Sequence, residues 1–224
     1  LPVGVYAKDV ILYVIGSVKA DFGVYKAVEF TGPVVKELSI SERMALCNMS
    51  TEMGCKAAYI QPDEVTFAYL KEHGITDYTV YETDPDYIYD ADLTYDVKQL
   101  TPQVAVPFSV DNVFPIVNEE GIPVNQAYLG SCTGGRTPDF AIAAKILKGK
   151  HIAEGTRMIL VPASKKVLEE CMEKGYIKTL LEAGATLTAP GCAACLGIHQ
   201  GLLAEGEACI SSTNRNFPGR MGSV

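Results

Sequence analysis

From Gln126 onward the chain repeats one pattern, a short apolar or β-branched run followed by a helical run. This alternation constrains the fold more than any other feature, because successive strands joined through helices pair in parallel. Strands are expected at 126–129, 157–161, near 187 and at 208–212, with helices at 138–147, 164–174 and 177–183. Thr137 is placed to cap the first of these helices, with Pro138 as its first residue, where a missing N–H costs nothing. In open parallel sheets, ligands bind at the carboxyl ends of strands. Cys132, the Cys192/Cys195 loop and Arg215 all fall just past expected strand ends.

The first half reads less regularly. Helical periodicity covers 8–18, a strand fits 25–31, and Gly32-Pro33 ends it. Ser39 and Glu42 form a capping box for a helix reaching about Met53, stopped by Gly54. A strand at 57–60 and a helix at 63–73 follow, and 81–96, rich in Asp and Tyr, reads as a solvated loop or edge strand. Pro102, Pro107 and Pro115 mark a crossover, so two α/β domains are expected, 1–110 and 111–224.

Composition narrows the chemistry. Nineteen Lys and Arg against 27 Asp and Glu leave a net charge of −8, which disfavours a broad nucleic-acid or anionic-membrane surface. A local arginine pair can still bind an anionic small molecule. No apolar run is long enough to span a membrane, and the first residues lack the charged and apolar regions of a signal peptide. The seven cysteines are odd in number and irregularly spaced, which fits a reducing, cytoplasmic compartment better than a disulfide framework.

Cys192 and Cys195 form a CxxC that, alone, fits a zinc half-site, a redox pair or two packed thiols. Cys132 adds a third sulfur in the turn Gly130-Ser131-Cys132-Thr133-Gly134-Gly135, which exposes several backbone N–H groups. Three thiolates on three irons of a cubane would leave the fourth iron open. Spacing leaves cluster, zinc and purely structural readings all standing. On pattern alone, Glu52 is an ordinary helix charge sharing a face with Asn48, and Arg215 and Arg220 are surface arginines.

Five stretches carry a resemblance to a known family. They are Gly4-Val5-Tyr6-Ala7-Lys8-Asp9-Val10-Ile11-Leu12, Cys47-Asn48-Met49-Ser50-Thr51-Glu52, Gly130-Ser131-Cys132-Thr133, Pro190-Gly191-Cys192-Ala193-Ala194-Cys195-Leu196-Gly197, and 214–220. In order and spacing the chain resembles the aconitase superfamily, specifically the large subunits of the 3-isopropylmalate dehydratase, homoaconitase and dimethylmalate dehydratase type. The resemblance implies two three-layer α/β domains with mostly parallel sheets. It also implies a hydro-lyase of amino-acid biosynthesis, such as leucine biosynthesis, acting on a 2-hydroxy di- or tricarboxylate. By the same resemblance Cys132, Cys192 and Cys195 hold a [4Fe–4S] cluster, and Asn48 and Glu52 serve catalysis. Arg215 and Arg220 bind substrate carboxylates, and Asn214 supports the cluster surroundings. The carbon base is expected to come from a serine of a swivelling small subunit, so none is assigned here. Relatives commonly carry Asn where this chain has Gly134, which removes an amide near the cluster. Family segments with Asp-His and Asp-Ser-His motifs are expected upstream, so the chain reads as a fragment, inactive by itself. A zinc or thiol module, and a cluster-free RNA-binding regulator disfavoured by the acidic balance, are the competing readings.

Overall fold

Burial of an apolar stripe explains the first helix of the computed structural model, which describes residues 1–222. In α1 (Ala7–Val18), Ile11, Leu12 and Ile15 are buried on one face. Asp9 caps its start by accepting from the Tyr6 N–H at 2.8 Å and reaches across to accept from the Gln103 N–H at 2.8 Å. The backbone divides into two units, 1–105 with 113–118, and 106–112 with 119–222; the last two residues of the second expected domain, Ser223 and Val224, lie outside the described residues.

In the first unit, β1 (Ala27–Glu29) pairs in parallel with β2 (Ala57–Tyr59). Between them run α2 (Pro33–Glu37) and α3 (Ile40–Met49). The Ser39 capping box forms as read, with the Ser39 N–H donating to Glu42 at 3.0 Å and the Glu42 N–H donating to Ser39 Oγ at 3.4 Å. The helix does not run unbroken to Met53. It tightens into a 3₁₀ turn at Ser50–Met53, ended by Gly54 in the left-handed region. Asp63 caps α4 (Glu64–Glu72). An antiparallel pair unforeseen in the sequence, β3 (Gln103–Ala105) with β4 (Val113–Pro115), occupies the proline-marked crossover. The Asp- and Tyr-rich stretch has no helix or strand between 81 and 96, yet it is anchored. Thr83 and Tyr89 donate to the Glu29 carboxylate, and Lys26 pairs with Asp90 at 2.6 Å.

The second unit is built on a four-stranded, wholly parallel sheet. Its strands are β5 (Gln126–Gly130), β6 (Arg157–Val161), β7 (Thr186–Leu187) and β8 (Cys209–Ser211), in the order β7-β6-β5-β8. The helices are a single turn, α5 (Ser131–Gly134), then α6 (Thr137–Leu147), α7 (Lys165–Glu173) and α8 (Tyr176–Glu182). Strand alternation sorts side chains to two cores. Met158 and Leu160, with Ala127 and Leu129 beside them, pack against Phe140, Cys171 and Leu180 of the helices. Tyr128, Ile159 and Val161 face the other way, onto Ala194, Cys195 and Met221. Helices therefore cover one face, and the cysteine loop with the tail of the chain covers the other.

One helix start differs from the sequence reading. Thr137 lies inside α6, and Arg136 precedes it as the cap, its N–H donating to Asp139 at 2.9 Å. Thr137 is already helical, and its hydroxyl donates to Glu170 Oε2 at 2.7 Å.

Candidate functional site

The second unit gathers its chemistry at the carboxyl ends of β5 and β8. The turn after β5 is forced into a tight path by three glycines. A Cβ on Gly130 would lie 2.6 Å from the Val161 carbonyl oxygen, one on Gly134 would lie 2.1 Å from that of Ser212, and one on Gly135 would lie 2.6 Å from that of Ser131. Close backbone approach, not a positive φ, makes these positions glycine. Ser131 takes the strain instead, with φ of 67°, as the chain turns from strand to α5. Ser212 clasps both ends of the turn. Its Oγ accepts from the Gly130 N–H at 2.9 Å and donates to the Gly134 carbonyl at 2.9 Å, while its own N–H donates to the Tyr128 carbonyl at 2.9 Å. Cys132 is left exposed at the turn's surface.

The second pair of sulfurs sits in a 3₁₀ turn, Ala193–Leu196, with Gly197 left-handed behind it. The Cys195 N–H donates to the Cys192 carbonyl at 3.0 Å, and the Tyr128 hydroxyl donates to the same carbonyl at 2.7 Å. Cys192 is exposed and Cys195 buried. Although Cys192 is exposed, the protein around it pushes its thiol up, and the Cys195 and Cys132 sulfurs add to this; Arg215 and Arg220 act in the opposite direction. All three sulfurs and both arginines thus act on one electrostatic neighbourhood.

The tail after β8 closes it. Asn214 is buried, its Oδ1 4.0 Å from Cys195 Sγ. Arg220, expected on the surface, is 7% exposed. Its Nη2 donates to Cys195 Sγ at 2.7 Å, and its Nη1 donates to Thr213 Oγ1 at 3.0 Å and to the Arg215 carbonyl. Arg215 itself is exposed. The Cys195 sulfur therefore receives a charged donor, the kind of hydrogen bond that stabilises a metal-bound thiolate.

Asn48 and Glu52 belong to the first unit. They straddle the junction between α3 and the 3₁₀ turn, both half-buried, and the Asn48 carbonyl accepts from Thr51 Oγ1 at 2.9 Å. The remaining cysteines behave as packed thiols. Burial pushes up Cys47, Cys55 and Cys209, and pushes Cys171 up to about 11, which holds them protonated.

Cysteine sulfurs are the donors an iron–sulfur cluster takes, and the second unit presents Cys132 and Cys192 exposed with Cys195 buried under a charged donor. The Ser131 hydroxyl, buried beside Cys132 with no hydrogen-bond partner, fits an acceptor that the polypeptide does not supply. Sequence reading missed Tyr128, Ser131 and Ser212, whose parts depend on neighbours distant in the chain.

Tyr128 offers a local check. Tyr128→Phe removes the bond to the Cys192 carbonyl and is expected to cost about 1 kcal/mol in urea unfolding, with the sheet's circular dichroism unchanged.

Comparison with known proteins adds the following. The family model described as "Aconitase family (aconitate hydratase)" matches residues 1–121 and 117–224. The chain is 50% identical over 222 residues to the 3-isopropylmalate dehydratase large subunit 1 of Methanopyrus kandleri, covering 99% of this chain and 53% of that protein. It is 48% identical over 218 residues to the probable methanogen homoaconitase large subunit of Methanosarcina mazei (97% and 55%). It is 44% identical over 221 residues to the 2,3-dimethylmalate dehydratase large subunit of Eubacterium barkeri (98% and 53%). The chain spans about half the length of these curated relatives.

Proposed function

Because this chain belongs to the aconitase family, we propose that it is the cluster-bearing part of a hydro-lyase large subunit. The enzyme removes water from a 2-hydroxy di- or tricarboxylate, such as 3-isopropylmalate or homoaconitate, and adds it back at the neighbouring carbon. It works in a cytoplasmic, reducing compartment with a small swivelling subunit that supplies a serine base. The large-subunit names of the relatives and their substrate names support this reading. Its main support is the Arg220 bond to the Cys195 sulfur, with Cys192 in the same loop and Cys132, past the end of β5, within electrostatic reach of Cys192.

Cys132, Cys192 and Cys195 would hold the [4Fe–4S] cluster, with Asn214 beside Cys195. When bound, the cluster supplies Lewis-acid chemistry at the iron that no thiolate occupies. The chain's own residues do the rest. Arg215 and Arg220 grip substrate carboxylates, since a guanidinium is planar and always charged. Arg220 also donates to the Cys195 sulfur. Glu52 gives a proton to the departing hydroxyl, which leaves as water, and takes one back from the water added in the return step; Asn48 lies beside the cluster.

Anaerobic reconstitution with iron and sulfide tests the reading. The protein is expected to gain broad visible absorbance and iron, and Cys195→Ala is expected to lose both. Tight stoichiometric zinc with no iron uptake would replace the reading with a zinc module. Turnover of the assembled pair against a panel of hydroxy acids then names the substrate.

A further inference from the structure

β8 ends at Ser211, which pairs with Tyr128 in the middle of β5. The chain then folds back on that serine. The Thr213 N–H donates to Ser211 Oγ at 3.1 Å, and Ser211 Oγ and Thr213 Oγ1 are 2.7 Å apart, within hydrogen-bond reach. A serine at a strand end thus sets where the buried Thr213 hydroxyl lies. That hydroxyl accepts from Arg220 Nη1 at 3.0 Å.

These bonds fix the plane of the Arg220 guanidinium. Nη1 carries two hydrogens. One goes to Thr213 and the other to the Arg215 carbonyl, while Nη2 meets Cys195 Sγ at 2.7 Å. The Arg215 carbonyl belongs to the same tail as Arg220, and Arg215 is exposed. Thr213, by contrast, is tied through Ser211 to the parallel sheet. A side chain held from a regular element is held more exactly than one held from a loop. An arginine free to rotate loses rotamer entropy on gripping a carboxylate, and one already fixed loses less.

We propose that Thr213 is a positioning residue for the substrate. Held by Ser211, it keeps the Arg220 guanidinium in the orientation that receives a carboxylate of the hydroxy acid, a reading that rests on the hydro-lyase function proposed for this chain.

The test uses the full-length protein, cluster-loaded and assembled with its small subunit, as wild type, Thr213→Val, Thr213→Ser and Ser211→Ala. The measurements are KM and kcat for the hydroxy acid that wild type turns over best, malate affinity by calorimetry, iron per chain and circular dichroism. Thr213→Val keeps the shape and removes the acceptor. It is expected to raise KM and the malate dissociation constant about 10-fold, the loss of one hydrogen bond to a charged group, with iron content unchanged. Thr213→Ser keeps the hydroxyl and is expected to stay within about 3-fold of wild type. Ser211→Ala leaves Thr213 in place but loosens its hydroxyl, and is expected to raise both constants about 3-fold. Unchanged KM and malate affinity in a natively folded Thr213→Val would overturn the assignment. So would equal losses in Thr213→Val and Thr213→Ser, which would trace the effect to packing, and so would loss of iron in Thr213→Val, which would make the residue a support of the cluster loop. If Thr213→Val lacks the native circular dichroism, Ser211→Ala decides: weakened malate affinity supports the positioning role, and wild-type affinity overturns it. A wild-type complex that neither loads iron nor turns over would overturn the hydro-lyase reading itself, and this assignment with it.

Discussion

Replacing Arg43 by methionine is expected to destabilise the first unit by about 3 kcal/mol, read as a lower urea midpoint. Arg43 is 3% exposed, and every arm of its guanidinium is used. Nε donates to the Leu38 carbonyl at 3.0 Å, Nη2 to the Lys36 carbonyl at 3.0 Å, and the two Nη atoms form a fork on Asp63 at 2.6 and 2.8 Å. Asp63 in turn caps α4 through the Val65 and Thr66 N–H groups. One side chain thus ties the end of α2, the body of α3 and the start of α4. Methionine keeps the packed stem but strands two carbonyls and a carboxylate. The value sits at the low end for broken buried pairs because the Asp63 side chain is 37% exposed.

The same pair sets an acid limit. The Arg43 guanidinium holds the Asp63 carboxyl below its ordinary value near 3.8. A carboxylate with a lowered native pKa contributes stability that is present above its unfolded pKa and fades as pH falls through the native one. Wild-type stability is therefore expected to drop between about pH 4 and the lower native value of Asp63, and the drop attributable to this pair is expected to vanish in Arg43→Met. An Arg43→Met/Asp63→Asn double variant is expected to be no less stable than the single one, since the asparagine amide oxygen keeps the cap without leaving an unpaired charge.

Gly134→Ala is expected to be the most damaging change in the second unit. Its new methyl would meet the Ser212 carbonyl oxygen at 2.1 Å and the Ser212 Cβ and Oγ at 2.6 Å. The first obstacle is backbone, so no rotamer change relieves it. The tail after β8 must move, at a cost of about 2–3 kcal/mol. That tail carries Thr213, Asn214 and Arg215, so the shift also parts the Cys132 turn from the Arg220 network. Reconstituted Gly134→Ala is expected to retain a small fraction of wild-type iron at temperatures where its circular dichroism is native. Full iron retention would show that the turn tolerates the displacement.

Features set by local chemistry were legible in the sequence. The Ser39–Glu42 box, the Asp63 cap and the strand–helix alternation after Gln126 depend on residues within a turn or two. The cysteine motifs pointed to the correct strand ends. What escaped depended on distant partners. That the Thr137 hydroxyl bonds Glu170, 33 residues later, could not be read from the sequence. Arg220 reads as a surface arginine until Cys195, 25 residues earlier, is seen under it. The β3–β4 hairpin hid because prolines argue against strands, yet Pro115 sits at a strand end, where its missing N–H costs little.

The strand order has a bearing on the sequence of events during biosynthesis. Gln126 and Cys209, partners across β5 and β8, are 83 residues apart. Such distant parallel pairings close slowly. A nascent polypeptide exposes Cys132 long before Ser212 has left the ribosome. The turn that carries Cys132 can therefore take its clasped form only once β8 has joined the sheet and brought Ser212 to it.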